Sequence, residues 1–438
     1  MSKCTCYLIL VLSSFVISSS WIQVKGQALA IGIDSSYVYN AEGGRIPDFV
    51  GEAKAVAFPV EVSGVPTTSD IGLVKACFSI AHRRTSDIKV ELMAPDGTTI
   101  WLTNRNGGLE GRNYNATCFS ATGFSGYIHQ AEAPFEGDYI PDGRLEFLNV
   151  GQPNGQWTLL VYDLAEGVEG YLTRVNLSFG TLPLRRGAPC EENSDTNCSC
   201  PNASQSTCDL LPDLVLLDAF TSSTLKTFPS DHPVYPNQLR FSVSIANVGD
   251  GPFEVVIDED AVGDHPDRNL FQTIYKLNEG ALSTTQKDGG VIYYDDSPGH
   301  DHYHVDDWVA FKLYRVSRFL FWSIRSEVAT ARKVSFCLFD SGICDGLTEL
   351  CDVEGTIYGP KNLTNYGMGS YMSCGDQRQG ISVGGYDTYG YSYEGQYISL
   401  PDNLAAGLYE LEVTIDPLGR YQELDKSNNT AVFTIDLR

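Results

Sequence analysis

Hydrophobic and polar residues alternate with period two along most of the 438-residue chain. Asp87–Leu92 (DIKVEL), Trp157–Tyr162 (WTLLVY) and Arg174–Phe179 (RVNLSF) are short runs bounded by Gly, Pro, Asn and Asp, the pattern of half-buried strands. Ala94-Pro95-Asp96-Gly97 places Pro, Asp and Gly where a hairpin turn needs them. No window between residues 30 and 185 carries a helical period. Arg240–Val248 (RFSVSIANV), Gly407–Ile415 (GLYELEVTI) and Thr430–Leu437 (TAVFTIDL) alternate in the same way and read as antiparallel strands. The pattern predicts an all-β fold of two β-sandwich domains.

Two segments break the alternation. Residues 1–26 hold Lys3, then an apolar run from Tyr7 to Val16, then small residues, which reads as a secretory signal peptide cut after Gly26. The run is shorter than the roughly 20 residues that span a bilayer, and no later stretch is long and apolar enough, so no membrane span is expected. Residues 184–210 hold four Cys and many small polar residues and cannot bury a core, so they read as a Cys-rich linker between sandwiches at 30–183 and 211–438. Ten of the twelve Cys lie beyond the leader, an even number that in an exported chain reads as disulfides. Cys190, Cys198, Cys200 and Cys208 allow three pairings, and sequence does not choose among them; a Cys4 zinc knot is the rival reading. Six N-x-S/T sequons, at Asn115, Asn176, Asn197, Asn202, Asn362 and Asn428, suggest a glycoprotein in a host that makes N-glycans.

Charge narrows the partners. Thirty Lys and Arg against 55 Asp and Glu give −25, and loss of Lys3 and Lys25 with the leader makes it −27. That balance excludes nucleic acid and anionic membrane surfaces as natural partners.

Candidate chemistry concentrates at His300-Asp301-His302-Tyr303-His304, three of the seven histidines. On a helix, side chains two apart diverge; on a strand, i, i+2 and i+4 share a face. With a local bend, three such imidazoles converge on a borderline metal such as copper or zinc.

Two resemblances extend this reading. Val74–Leu102 and Gly155–Phe179 together resemble the P domain of proprotein convertases, over roughly residues 35–182, which implies a jelly-roll sandwich acting in folding, docking or recognition. Neither His82 nor His129 is followed by a Gly-Thr-Ser nucleophile context, so no Ser-His-Asp triad is expected. Acidic loop residues there offer hard oxygens to calcium, without EF-hand spacing.

The histidine run, Arg332–Asp340 (RKVSFCLFD) with Cys344, Gln379–Ser382 leading to Gly385–Gly390 (GYDTYG), and Gly407–Asn429 with Glu423, Asp425, Asn428 and Asn429 occur in order. They resemble the lysyl oxidase catalytic domain over about residues 211–438, a lysyl oxidase or immunoglobulin-like sandwich. The resemblance implies a secreted, extracellular copper amine oxidase that converts protein lysines or small primary amines to aldehydes with O₂, releasing H₂O₂ and ammonia. His300, His302 and His304 would ligate copper; Lys333 and Tyr389 would form a lysine tyrosylquinone. Asp306, Asp307 and Asp387 are candidates for the base. The chain departs from the animal form at Gly299, Gly385 and Gly395, where that form has Cys. The remaining Cys then imply Cys337–Cys344 and Cys351–Cys374 bridges. The alternative is a non-catalytic adhesion protein, because DLVLLDAF and the C-terminal strands also resemble adhesion-type immunoglobulin-like modules. A zinc hydrolase on the three His would leave the Lys333 and Tyr389 match unexplained.

Overall fold

The computed structural model describes residues 35–149, 151–181, 198–258, 265–298, 300, 302–319, 322–331, 334–346 and 349–437. The leader, most of the 184–210 segment, Gly299 and Lys333 lie outside the described residues.

The N-terminal strands form two sheets. One has the order Ser35–Ile46, Gly170–Thr181, Ile71–Ala81, Tyr114–Phe119, Phe135–Tyr139, antiparallel except for its last pair. The other has the order Val56–Val62, Gly155–Asp163, Ile88–Met93, Thr99–Asn104. Alternation does what period two demands: Phe58, Val60 and Val62 point inward while Ala57, Pro59 and Glu61 face solvent. Residues of both sheets share one core that includes Phe78, Val90, Trp157 and Phe179. The predicted turn closes Ile88–Met93 onto Thr99–Asn104. Gly97 sits there at φ 89, its N–H donating to Ala94 O at 3.0 Å.

The C-terminal strands build a ten-stranded sheet and three smaller ones, with a main core that includes Phe253, Trp308 and Val413. The long central strand His302–Phe319 pairs through its first residues with Ala281–Asp295 and through its later ones with Gly407–Ile415. Val334–Phe336 also joins it, Val305 opposite Phe336 and Val309 opposite Val334. The spacing difference leaves extra residues on the central strand, absorbed in a bulge with Asp307 at φ 54, a conformation Asp tolerates.

Three readings need correction. Arg240–Val248 is not one strand: Gln238–Arg240 and Val243–Asn247 belong to different sheets, because the chain crosses between them at Phe241 and Ser242. DLVLLDAF is strand only at Leu214–Leu216; Asp218–Thr224 then forms a helix, Asp218 standing in its positive first turn and Phe220 and Thr221 turned inward. Thr207–Leu210, read as linker, pairs with Arg268–Asn278. Cys200 bridges Cys208, and Cys198 is also disulfide-bonded.

The remaining bridges are Cys77–Cys118, Cys337–Cys374 and Cys344–Cys351, so the expected Cys337–Cys344 and Cys351–Cys374 pairs do not form. Cys337 faces the same side as Phe339, into a cluster with Tyr371 and Cys374. Cys344 sits in a different cluster, with Cys351 and Tyr386. Two thiols turned into separate cores cannot meet.

Candidate active site

The three histidines come together, but not as one strand row. His302 and His304 share a face of the central strand, whereas His300 belongs to the preceding turn, its N–H donating to Ser297 O at 2.9 Å. That turn is the bend the metal reading required. His300 Nδ1 lies 3.1 Å from His304 Nε2, which lies 3.0 Å from His302 Nε2. A neutral imidazole has one N–H, so His304 Nε2 cannot satisfy both neighbours and itself in a dry site. Burial, ahead of the neighbouring charges, lowers His300 to about 4, His304 to about 3, and His302 well below its usual value. Neutral rings with lone pairs converging on one point suit a borderline cation. The donor set therefore fits copper, and equally zinc.

Asp295, on the neighbouring strand opposite His302, was not singled out from sequence. Its Oδ2 stands 3.3 Å from His304 Nδ1, the nitrogen turned away from the other two rings, where it can orient that ring from outside; it also lies 3.5 Å from His300 Nδ1, the nitrogen that faces His304. Burial alone would raise its carboxyl; the histidines and Ser297 hold it below the usual range.

Tyr389 ends the strand Gly385–Tyr389, and its ring is stacked on Phe336 with centroids 3.6 Å apart. Its hydroxyl donates to Asp387 Oδ2 at 2.6 Å. Burial, then the Asp387 charge, pushes the phenol well up; burial likewise pushes the Asp387 carboxyl well above the carboxylate range. Asp306 and Asp307 do not line this cavity: Asp307 pairs with Arg420 at 3.2 Å, and Asp306 Oδ1 accepts the Asp307 N–H. Lys333 lies outside the described residues, so its position relative to Tyr389 is not part of this geometry.

Tyr389 and the three histidines line one cavity of ≈ 20 Å³, together with Cys337, Tyr393, Pro298 and three N-terminal residues, Trp101, Asn104 and Arg105. No local signal pointed to those last three, because they arrive through packing between distant segments. The Trp101 ring contacts Phe339 at 4.7 Å between centroids and lies 6.5 Å from His302.

The departures from the animal pattern have a cause at one position. A Cβ at Gly385 would lie 2.3 Å from Asp340 Oδ1, so a cysteine has no room. Asp340 is held by Ser382 N at 2.8 Å and by Arg144 Nη1 at 3.5 Å. Elsewhere, His82 is buried as a structural group: Nδ1 lies 2.6 Å from Arg84 O, and Nε2 lies 3.0 Å from Val168 O and 3.3 Å from Asp163. Asp87 is paired with Arg84 at 2.8 Å, and the ligand atoms of His82, Asp87 and Asp163 lie within 4.8 Å of one another, a mixed nitrogen and oxygen set.

Two family models match parts of the chain. Residues 71–179 match the proprotein convertase P-domain family, and residues 360–438 match the lysyl oxidase family. The second span includes Tyr389 and starts after the histidines and Lys333. Among curated proteins, the chain is similar to protein-lysine 6-oxidase of Sus scrofa, 32% identical over 131 residues, covering 30% of this chain and 41% of that protein. It is similar to protein-lysine 6-oxidase of Homo sapiens, 31% identical over 140 residues, covering 32% of this chain and 26% of that one. With lysyl oxidase homolog 1 of Homo sapiens the values are 33% over 131 residues, covering 30% and 18%. The chain thus spans 18% to 41% of the length of these relatives. A serine protease of Aeromonas sobria aligns over 33% of this chain and 27% of that chain at 16% identity and TM-score 0.18, which carries no argument.

Proposed function

We propose that this chain is an exported copper-dependent amine oxidase of lysyl oxidase type, a P domain-like sandwich (30–183) and a Cys-rich linker (184–210) preceding the oxidase sandwich (211–438). The observation that carries the reading is the single cavity shared by His300, His302, His304 and Tyr389. The four disulfides described in full suit an oxidising compartment.

His300, His302 and His304 would hold copper. Bound copper would supply redox chemistry with O₂, and the quinone built from Tyr389 and Lys333 would supply the carbonyl that takes up a primary amine. The chain's own groups do the rest. Asp295 backs the His304 imidazole at its outer nitrogen. Phe336 fixes the plane of the Tyr389 ring. Asp387 accepts the hydrogen bond of the Tyr389 hydroxyl and is the carboxylate nearest the reacting ring, so it is assigned the proton-accepting role over Asp306 and Asp307. The tight, largely apolar cavity excludes bulk water. A protein lysine or a small primary amine is the substrate, and O₂ the second.

The test is amine-dependent H₂O₂ production by the full chain loaded with copper. Lys333→Ala is expected to abolish turnover and leave copper bound. Residual turnover in that variant would overturn the cofactor assignment.

A further inference from the structure

The cavity holding the histidines and Tyr389 has room for about one water at ≈ 20 Å³. No amine enters it unless a wall moves. Beside it lies a cleft of ≈ 350 Å³ lined mostly by loop residues of both the N-terminal and C-terminal halves, and one described residue, Arg105, lines both spaces.

Arg105 is built differently from the walls around it. Its backbone is pinned. The Arg105 N–H donates to Ile88 O at 2.9 Å, and Ser392 Oγ donates to Arg105 O at 2.8 Å. On either side, Asn104 N and Asn106 Nδ2 donate to Asp142 Oδ2 at 2.7 and 2.6 Å. Tyr393, itself in the cavity wall, donates its hydroxyl to Asn104 O at 3.0 Å. This lattice holds Arg105 at φ 54, a backbone region costly for a long side chain. The guanidinium, by contrast, has a single long hydrogen bond, Nε to Ser86 O at 3.4 Å, and the group is half-buried. A fixed backbone with a loosely held, long side chain between two spaces is the construction of a swinging door.

We propose that Arg105 is the gate of the site: its side chain swings to connect the outer cleft with the cavity, and the N-terminal sandwich thereby selects which amines reach Tyr389. The selection step rests on the oxidase reading; the gate itself does not. Arg105 is a positioning residue, since nothing places it in the chemistry. A primary amine on a slender chain passes with a small swing, and a lysine held in a folded or bulky peptide needs a wide one.

Arg105→Gly suits the test, because glycine adopts φ 54 without strain; Arg105→Lys is the conservative partner. The probe is diethyl pyrocarbonate, a neutral acylating reagent, applied to the metal-free full chain with modification at each histidine followed by mass spectrometry. Exposed His265 is the internal reference. The expected result is acylation of His300, His302 and His304 about tenfold faster in Arg105→Gly, with His265 unchanged and Arg105→Lys near the parent. With amines, kcat/KM should rise in Arg105→Gly more for a lysyl peptide than for methylamine. Equal acylation rates in the parent and Arg105→Gly, or parent histidines reacting as fast as His265, would overturn the gate. If the parent produces no H₂O₂ with any amine, the oxidase reading fails and the acylation rates still decide the gate.

Discussion

At the scale of single residues, the Tyr389 hydroxyl and the Asp387 carboxylate form one unit. Burial makes the Asp387 carboxylate a stronger proton acceptor than an exposed one, and an amide of the same shape fills the same space at little cost to the fold. Asp387→Asn is expected to keep the melting temperature within about 3 °C, to retain copper, and to slow the oxidation of Tyr389, followed by the growth of quinone absorbance after copper addition. Unchanged growth would remove Asp387 from the reaction. His302 and His304 were legible because strand spacing puts them on one face, whereas Tyr389 was legible only through the resemblance. His300 was legible only as part of a cluster, since the turn at Ser297 that bends it inward has no periodic signature. Trp101, Asn104 and Arg105 were not legible: they lie some two hundred residues from the histidines, and only packing between distant strands brings them there.

At the scale of elements, the C-terminal hairpin shows what a sequence motif can mean without touching the site. Glu423 accepts from Leu214 N at 3.1 Å and from Asn429 Nδ2 at 2.9 Å, and Asn428 Nδ2 donates to Asp213 Oδ1 at 2.8 Å. The Glu423–Asn429 pattern thus ties the last strands to the entry of the C-terminal sheets. Burial raises the Glu423 carboxyl to about 7, against hydrogen bonds that lower it. The folded chain then binds this proton more tightly than the unfolded chain, so the contribution to stability is complete below about pH 4.5 and is lost as pH rises through 7. Asp87, raised to about 6 mainly by burial, acts in the same direction. Denaturant melts are expected to lose up to about 3 kcal/mol between pH 5 and 8 from Glu423, and Glu423→Gln to flatten that slope. A slope the variant does not change would assign the pH dependence elsewhere. Gly407–Ile415 and Thr430–Leu437 were read from alternation at their full length. The sheet switch after Arg240 was not, because a strand that changes sheets keeps its alternation. Nor were the pairings of Cys337 and Cys344, which depend on the cluster each thiol enters.

At the scale of the whole molecule, net charge and assembly of the site act together. The −25 chain attracts cationic amines over a distance set by salt. For a lysine-rich substrate, kcat/KM is expected to fall as ionic strength rises, with kcat nearly constant; a rate indifferent to salt would confine charge to a solubility role. The two sandwiches meet across Arg144 and Asp340 and across Tyr127, whose hydroxyl donates to Ile343 O at 3.0 Å, so the cavity wall is shared by segments far apart in the chain. Alternation predicted two bodies of strands but carried no sign that they close one cavity between them. Amine oxidation through the proposed quinone requires two side chains, Lys333 and Tyr389, to become covalently joined. The direct measurement is peptide mass spectrometry of the full chain, expressed with copper and digested under denaturing conditions. The expected result is a peptide in which Lys333 and Tyr389 are cross-linked, present with copper and absent from Tyr389→Phe. Unlinked Lys333 and Tyr389 peptides in full yield from copper-loaded protein would contradict it.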